Sequence, residues 1–127
     1  MKKLKFLIVP ALCAAAVLLL FRFVFLIGYV PTESMEPTLE KGSYIIGFRL
    51  YSDLRVGDIV IFRHENKLLV KRIAAAPGDR IERNGSEVTV PEYSYYVLGD
   101  NPSNSYDSRF WTEPFVPQED IVAKLIQ

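Results

Sequence analysis

The chain has 127 residues with 15 basic and 15 acidic side chains, so it holds one small domain and no excess of positive charge that would bind nucleic acid. The balance hides a division: residues 1–27 carry +4 and the rest −4. The single cysteine, Cys13, excludes an intrachain disulfide and a multi-cysteine zinc site.

The first element is an apolar segment, Phe6 to Ile27, interrupted by one charge, Arg22. Its 22 residues, at about 1.5 Å each, cover roughly 33 Å and are long enough to cross a hydrocarbon core of about 30 Å as one transmembrane helix. Arg22 lies near the end of the segment, where its stem can carry the guanidinium to the interface. Pro10 falls in the first turns. A cleaved leader is the competing reading, with Ala14-Ala15-Ala16 as the cut, but it would leave too short an apolar region before the cut while apolarity continues to Ile27. Leu12 before Cys13 argues against a lipoprotein site. Lys2, Lys3 and Lys5 precede the span and no lysine directly follows it, which places the N-terminus in the cytoplasm and the remainder on the other side of a plasma membrane. The expected division is therefore an anchor over residues 1–28 and an extracytoplasmic domain over residues 29–127.

That domain reads as mostly β, with short apolar runs between turn residues. Strands are expected at Tyr44–Phe48, Asp58–Arg63, Leu68–Ala74, Glu87–Val90, Tyr95–Leu98 and Ile121–Ile126. Asn84-Gly85 supplies a tight hairpin turn between Ile81 and Val90, which explains Asn84-Gly85-Ser86 without a sugar. Gly57-Asp58, Pro77-Gly78-Asp79 and Gly99-Asp100-Asn101-Pro102 mark further turns, and a helical turn is possible at Pro117–Asp120. The polar segment Gly99–Phe115 is long for a connection in so small a domain, as functional loops often are.

Just after the apolar segment stands Pro31-Thr32-Glu33-Ser34-Met35-Glu36-Pro37-Thr38-Leu39. Ser34 needs a base before it can act as a nucleophile. The N-terminal amine lies across the membrane. His64, the only imidazole, sits in Arg63-His64-Glu65-Asn66-Lys67, a polar stretch expected to be a solvated hairpin loop, and a triad would also need an orienting carboxylate. Lys71 fits better: strand alternation puts it on the face of Leu69 and Ile73, where an apolar setting disfavours the ammonium and yields a neutral amine able to take a proton.

Four segments in order, the one around Ser34, Gly57-Asp58-Ile59-Val60-Ile61-Phe62, Val70-Lys71-Arg72-Ile73 with Pro77-Gly78-Asp79, and Gly99-Asp100-Asn101-Pro102-Ser103-Asn104-Ser105-Tyr106-Asp107-Ser108-Arg109, resemble the type I signal peptidases, membrane-anchored serine–lysine proteases. The resemblance implies a compact antiparallel β domain of signal-peptidase type behind one transmembrane helix. It implies Ser34 as nucleophile, Lys71 as general base, and Thr32 with the Ser34 N–H as the oxyanion hole. Ser105, Asp107, Arg109, Asp100 and Arg72 fall at supporting positions, and Met35 at one expected to meet substrate. An aspartate touching Lys71 would raise its pKa, so the carboxylates are expected to engage Arg109 and Arg72.

The implied partners are the signal peptides of exported precursors and the lipid bilayer, with no cofactor and no metal. The substrate is expected to lie extended beside the strands near the dyad, with small residues such as alanine before the cut. Phe110 and Trp111 belong either to a membrane-facing surface or to the core. Only about twenty residues separate Gly78-Asp79 from Gly99-Asp100, where many of these proteases insert a large β-rich cap. Two other functions stay open: a protease dedicated to one partner protein, and a membrane-tethered module of the same fold without catalysis. Self-cleaving repressor-type proteases share the dyad but are soluble.

Overall fold

The computed structural model describes residues 2–126. Helix α1 spans Lys2–Val24, with every residue exposed or nearly so, and is long and apolar enough to cross a membrane. Nine strands follow: β1 Phe25–Tyr29, β2 Tyr44–Phe48, β3 Ile59–His64, β4 Lys67–Ala75, β5 Arg80–Arg83, β6 Ser86–Thr89, β7 Ser94–Leu98, β8 Phe115–Pro117 and β9 Ile121–Leu125. Seven form one antiparallel sheet in the order β1-β2-β9-β3-β4-β7-β8, and β5 and β6 form a separate hairpin. Asn84 and Gly85, both with positive φ, turn that hairpin as expected.

The helix ends three residues earlier than its apolarity predicts. Phe25-Leu26-Ile27 leave it and continue as β1, paired with β2 from Phe25↔Phe48 to Tyr29↔Tyr44. The Arg49 N–H donates to the Val24 carbonyl (2.7 Å) and the Arg49 guanidinium to the Phe25 carbonyl (3.2 Å), so a distant loop satisfies the acceptors freed at the helix end. The expected boundary at residue 28 thus falls inside a strand of the sheet. β8 occupies part of the segment expected to be loop, and the turn near Pro117 is a 3-10 turn over Gln118–Asp120.

β3 lies at the centre of the sheet, and Ile59, Val60, Ile61 and Phe62 are all buried on it. Val60 and Phe62 join Ile73, Val97, Trp111 and Val116 in one apolar cluster, and Ile59 and Ile61 join Val30, Met35, Ile45 and Ala123 in another. Both faces are covered, which explains an unbroken apolar run where an open antiparallel sheet would alternate. β7 stops at Leu98, opposite Arg72, so the part of β4 before Arg72 has β3 as its one strand neighbour. That open length of β4 leads directly to Lys71.

Candidate active site

Three segments converge at one end of the open edge of β4. The first is the turn after Val30, which carries Thr32 and Ser34. Thr32 Oγ1 donates to Ser34 Oγ at 3.2 Å, and the Ser34 N–H lies 3.5 Å from Thr32 Oγ1, too long for more than a weak bond. The Thr32 proton is thus given to the Ser34 oxygen, which leaves the Ser34 proton available to another acceptor. Both residues line a cavity of about 310 Å³ together with Lys71.

Lys71 is buried to 5% exposure between the alternate β4 neighbours Leu69 and Ile73. Burial holds its pKa below the ordinary lysine value; the Asp107 carboxylate pulls it up, and Arg109 pushes it down. Burial prevails because, among the described residues, no carboxylate touches the amine. Lys71 Nζ donates to Ser105 Oγ at 3.4 Å, and Ser105 Oγ in turn donates to Asp107 Oδ2 at 2.7 Å. Since the one Ser105 proton is committed to Asp107, Ser105 can only accept from Lys71, which aims an N–H at Ser105 and leaves the amine lone pair for another partner.

Asp107 is wholly buried. Burial pushes its carboxyl up, but the Arg109 guanidinium, the Gly99 N–H, the Ser105 hydroxyl and the Arg109 N–H together hold it below the usual range. Its bonds include Arg109 Nε to Oδ1 at 2.8 Å and Gly99 N to Oδ2 at 3.0 Å. On the opposite face of β4, Arg72 grips Asp100 with two parallel bonds of 2.9 and 2.7 Å and donates to the Gly57 carbonyl. Arg72 is the main reason the Asp100 carboxyl is lowered, and the Thr38 hydroxyl adds to it. The expected pairing of the two carboxylates with Arg109 and Arg72 is therefore seen, with Ser105 spacing Asp107 from the amine.

Several contacts here are absent from a residue-by-residue reading. The Asn101 N–H donates to the Ser34 carbonyl at 2.8 Å, its side chain to the Glu33 carbonyl at 3.0 Å, and Asn104 to the Glu33 carboxylate at 3.4 Å. Glu33 thus helps clamp the Ser34 turn to the loop after β7. Gly99 lies between the two segments: a Cβ there would stand 2.6 Å from the Ser34 carbonyl oxygen and closer still to the Ser105 hydroxyl. In the sequence Gly99 stands out as a turn residue before Asp100 and as the first residue of a segment carrying the family resemblance, neither of which points to this close approach.

Two expectations are corrected and one open alternative is resolved. Met35 is 1% exposed and packs with Val30, Ile45 and Ile59, so its side chain faces the core and not the cavity lined by Thr32, Ser34 and Lys71. His64 is not solvated: its ring stacks on Trp111 with centroids 3.9 Å apart, and both residues line the cavity. Trp111 is core, whereas Phe110 is exposed and stacked on Tyr106.

The family described as "Signal peptidase, peptidase S26" matches residues 1–92 and 83–126. The chain is 33% identical to the probable signal peptidase I-1 of Synechocystis over 90% of its own length and 76% of the relative's. It is 30% identical to the signal peptidase I of Leptolyngbya laminosa over 77% of itself and 65% of that relative, and so spans about two thirds of its length. An inactive signal peptidase IA of Staphylococcus aureus is 37% identical over 61% of this chain and 46% of the relative. With the whole described fold covered by the match, the chain belongs to the signal peptidase family, peptidase S26.

Proposed function

We propose that this chain is a membrane-anchored serine endopeptidase that cleaves signal peptides from exported precursors, with Ser34 as nucleophile and Lys71 as base. The observation that carries the reading is a buried amine, lowered in pKa and without a carboxylate partner among the described residues, in the same cavity as Ser34. The substrate lies extended along the edge of β4 that faces away from β3, where backbone bonds supply affinity.

In the first step Ser34 Oγ attacks the scissile carbonyl carbon while Lys71 Nζ takes the hydroxyl proton. The developing oxyanion accepts from the Ser34 N–H and the Thr32 hydroxyl, both close to the nucleophile. Lys71, now an ammonium, returns the proton to the departing nitrogen as the C–N bond breaks, which leaves an ester on Ser34. Water attacks that ester with its proton going to Lys71; the C–O bond breaks, the proton passes to Ser34, and the acid product leaves. Ser105 accepts from the amine throughout, so its lone pair stays directed.

The purified full chain in detergent is expected to cut a peptide with alanine at the two small-residue positions before the cleavage site. Because only neutral Lys71 can take the proton, kcat/KM should rise with pH through the lowered lysine pKa and then level off. A rate flat down to acid pH rules out the lysine base. The competing reading, a tethered module without turnover, takes its support from the relative named inactive. No turnover of the peptide at any pH would favour it.

We further propose that α1 crosses the membrane with Lys2, Lys3 and Lys5 in the cytoplasm and the β domain on the far side. A reporter active only in the cytoplasm, fused after Gln127, is expected to be inactive. A bright signal reverses the orientation.

A further inference from the structure

Beside Ser34 and Lys71 stand two large exposed rings that the proposed chemistry does not use. Tyr106 is 67% exposed and lines the same cavity as Ser34 and Lys71, and Phe110, stacked on it, is 56% exposed. The two ring planes are 4° from parallel, with centroids 5.8 Å apart. The Arg109 guanidinium lies 4.8 Å from the centre of the Phe110 ring. It is itself fixed by the Asp107 carboxylate and by the Pro102 and Ser105 carbonyls. Stacking and the cation over the ring thus brace the pair against a fixed point of the site.

The backbone ties Tyr106 to the reacting groups. It stands between Ser105, which accepts from Lys71 Nζ at 3.4 Å, and the wholly buried Asp107. Ser105 is extended, and it and Asp107 both turn inward, so the ring between them is turned out. β7 ends at Leu98, opposite Arg72, and the loop carrying Tyr106 takes over there. That loop therefore closes the Lys71 end of the lane beside β4 that β7 leaves open, on the side away from β3. A ring already held by stacking offers contact area to a ligand at little further loss of side-chain freedom.

We propose that Tyr106, braced by Phe110, packs against a large apolar side chain of the extended substrate within about three residues of the scissile bond, at a position other than the two small ones. The distance follows from the chain: Tyr106 is the residue after the one bonded to Lys71, and a peptide in the lane advances about 3.3 Å per residue. The class of side chain follows from the surface offered. It is the face of a ring with no free charge beside it, since the Arg109 guanidinium is committed to Asp107. A leucine or an aromatic side chain buries apolar area there, and glycine buries none. Tyr106 is thus a specificity residue, outside the proton transfers. This inference rests on the proposed protease function.

Wild type, Tyr106→Ala and Tyr106→Phe, as full chains in detergent, are compared on a parent peptide with alanine at the two small-residue positions and leucine at the other positions near the cut. A companion set replaces each leucine in turn by glycine. On the parent, Tyr106→Ala is expected to lower kcat/KM about tenfold, mainly through KM. The loss should vanish on at least one glycine peptide and persist on the others, while Tyr106→Phe, which keeps the ring, matches wild type throughout. A loss of the same size on every peptide would assign Tyr106 a structural role. No loss on the parent would remove the contact, and a loss in Tyr106→Phe equal to that in Tyr106→Ala would assign the effect to the hydroxyl; each of these overturns the inference. Absence of parent turnover by wild type overturns the protease function itself.

Discussion

Lys71→Met is expected to abolish turnover, by about ten-thousandfold or more in kcat/KM, and at the same time to raise thermal stability. The two effects share one cause. Methionine fills nearly the same volume between Leu69 and Ile73 but brings no charge to a position 5% exposed. The sign with pH follows from the lowered lysine pKa. As pH falls through the unfolded lysine value, the unfolded chain takes up a proton that the folded chain refuses, so wild-type stability declines until the folded value is also passed. The wild type therefore gains stability as pH rises through that window, and Lys71→Met does not. The advantage of the variant should be greatest at the acid end and vanish at strongly alkaline pH. Emission from Trp111, the one tryptophan, follows unfolding in both proteins. A variant less stable than wild type at neutral pH would mean that Lys71 is a stabilising cation, with no neutral base to offer Ser34.

Gly99→Ala should lower kcat/KM by about a hundredfold although no atom of residue 99 takes part in the reaction. The added methyl group would meet the Ser34 carbonyl oxygen on one side and Ser105 on the other. Neither can withdraw easily: the carbonyl is held by the Asn101 N–H and Ser105 by Asp107 at 2.7 Å. The Ser34 turn and Ser105, which accepts from Lys71, must therefore move apart, and misplacing reacting groups by about 1 Å is enough for a loss of that size. The Gly99 N–H bond to Asp107 is strained by the same shift, so some stability should be lost as well, about 1–3 kcal/mol as in other overpacked interiors. A folded Gly99→Ala protein with a rate within a factor of about three of wild type would show that the two segments tolerate separation.

What could be read from the letters was what depends on neighbours in sequence. Lys71 shares a strand face with Leu69 and Ile73, and that alternation alone put the amine in apolar surroundings. Asn84-Gly85 dictated its own turn. The failures are contacts between distant segments. Phe25-Leu26-Ile27 suit a membrane helix and a buried strand equally well, and the change from one to the other is made by Arg49, twenty-four residues on. His64 in a polar hairpin gives no hint that Trp111 covers it, and Met35 beside Ser34 gives none that its own side chain turns into the core. Gly99 is visible as a turn residue, but its role as the spacer between Ser34 and Ser105 exists only once three chain segments have met.

The junction at Val24 has a mechanical consequence. The membrane helix passes into β1 without a flexible connection, and Arg49 ties both sides of the joint. Ser34 is nine residues beyond the first residue of that strand, a path of no more than about 30 Å even if straight. With α1 across the membrane as proposed, Ser34 is therefore held at a set altitude above the lipid, like the blade of a fixed plane. Under the proposed function, precursors whose cleavage bond emerges at that level would be cut, and those whose bond is held nearer the bilayer or carried farther out would pass beneath or above the edge.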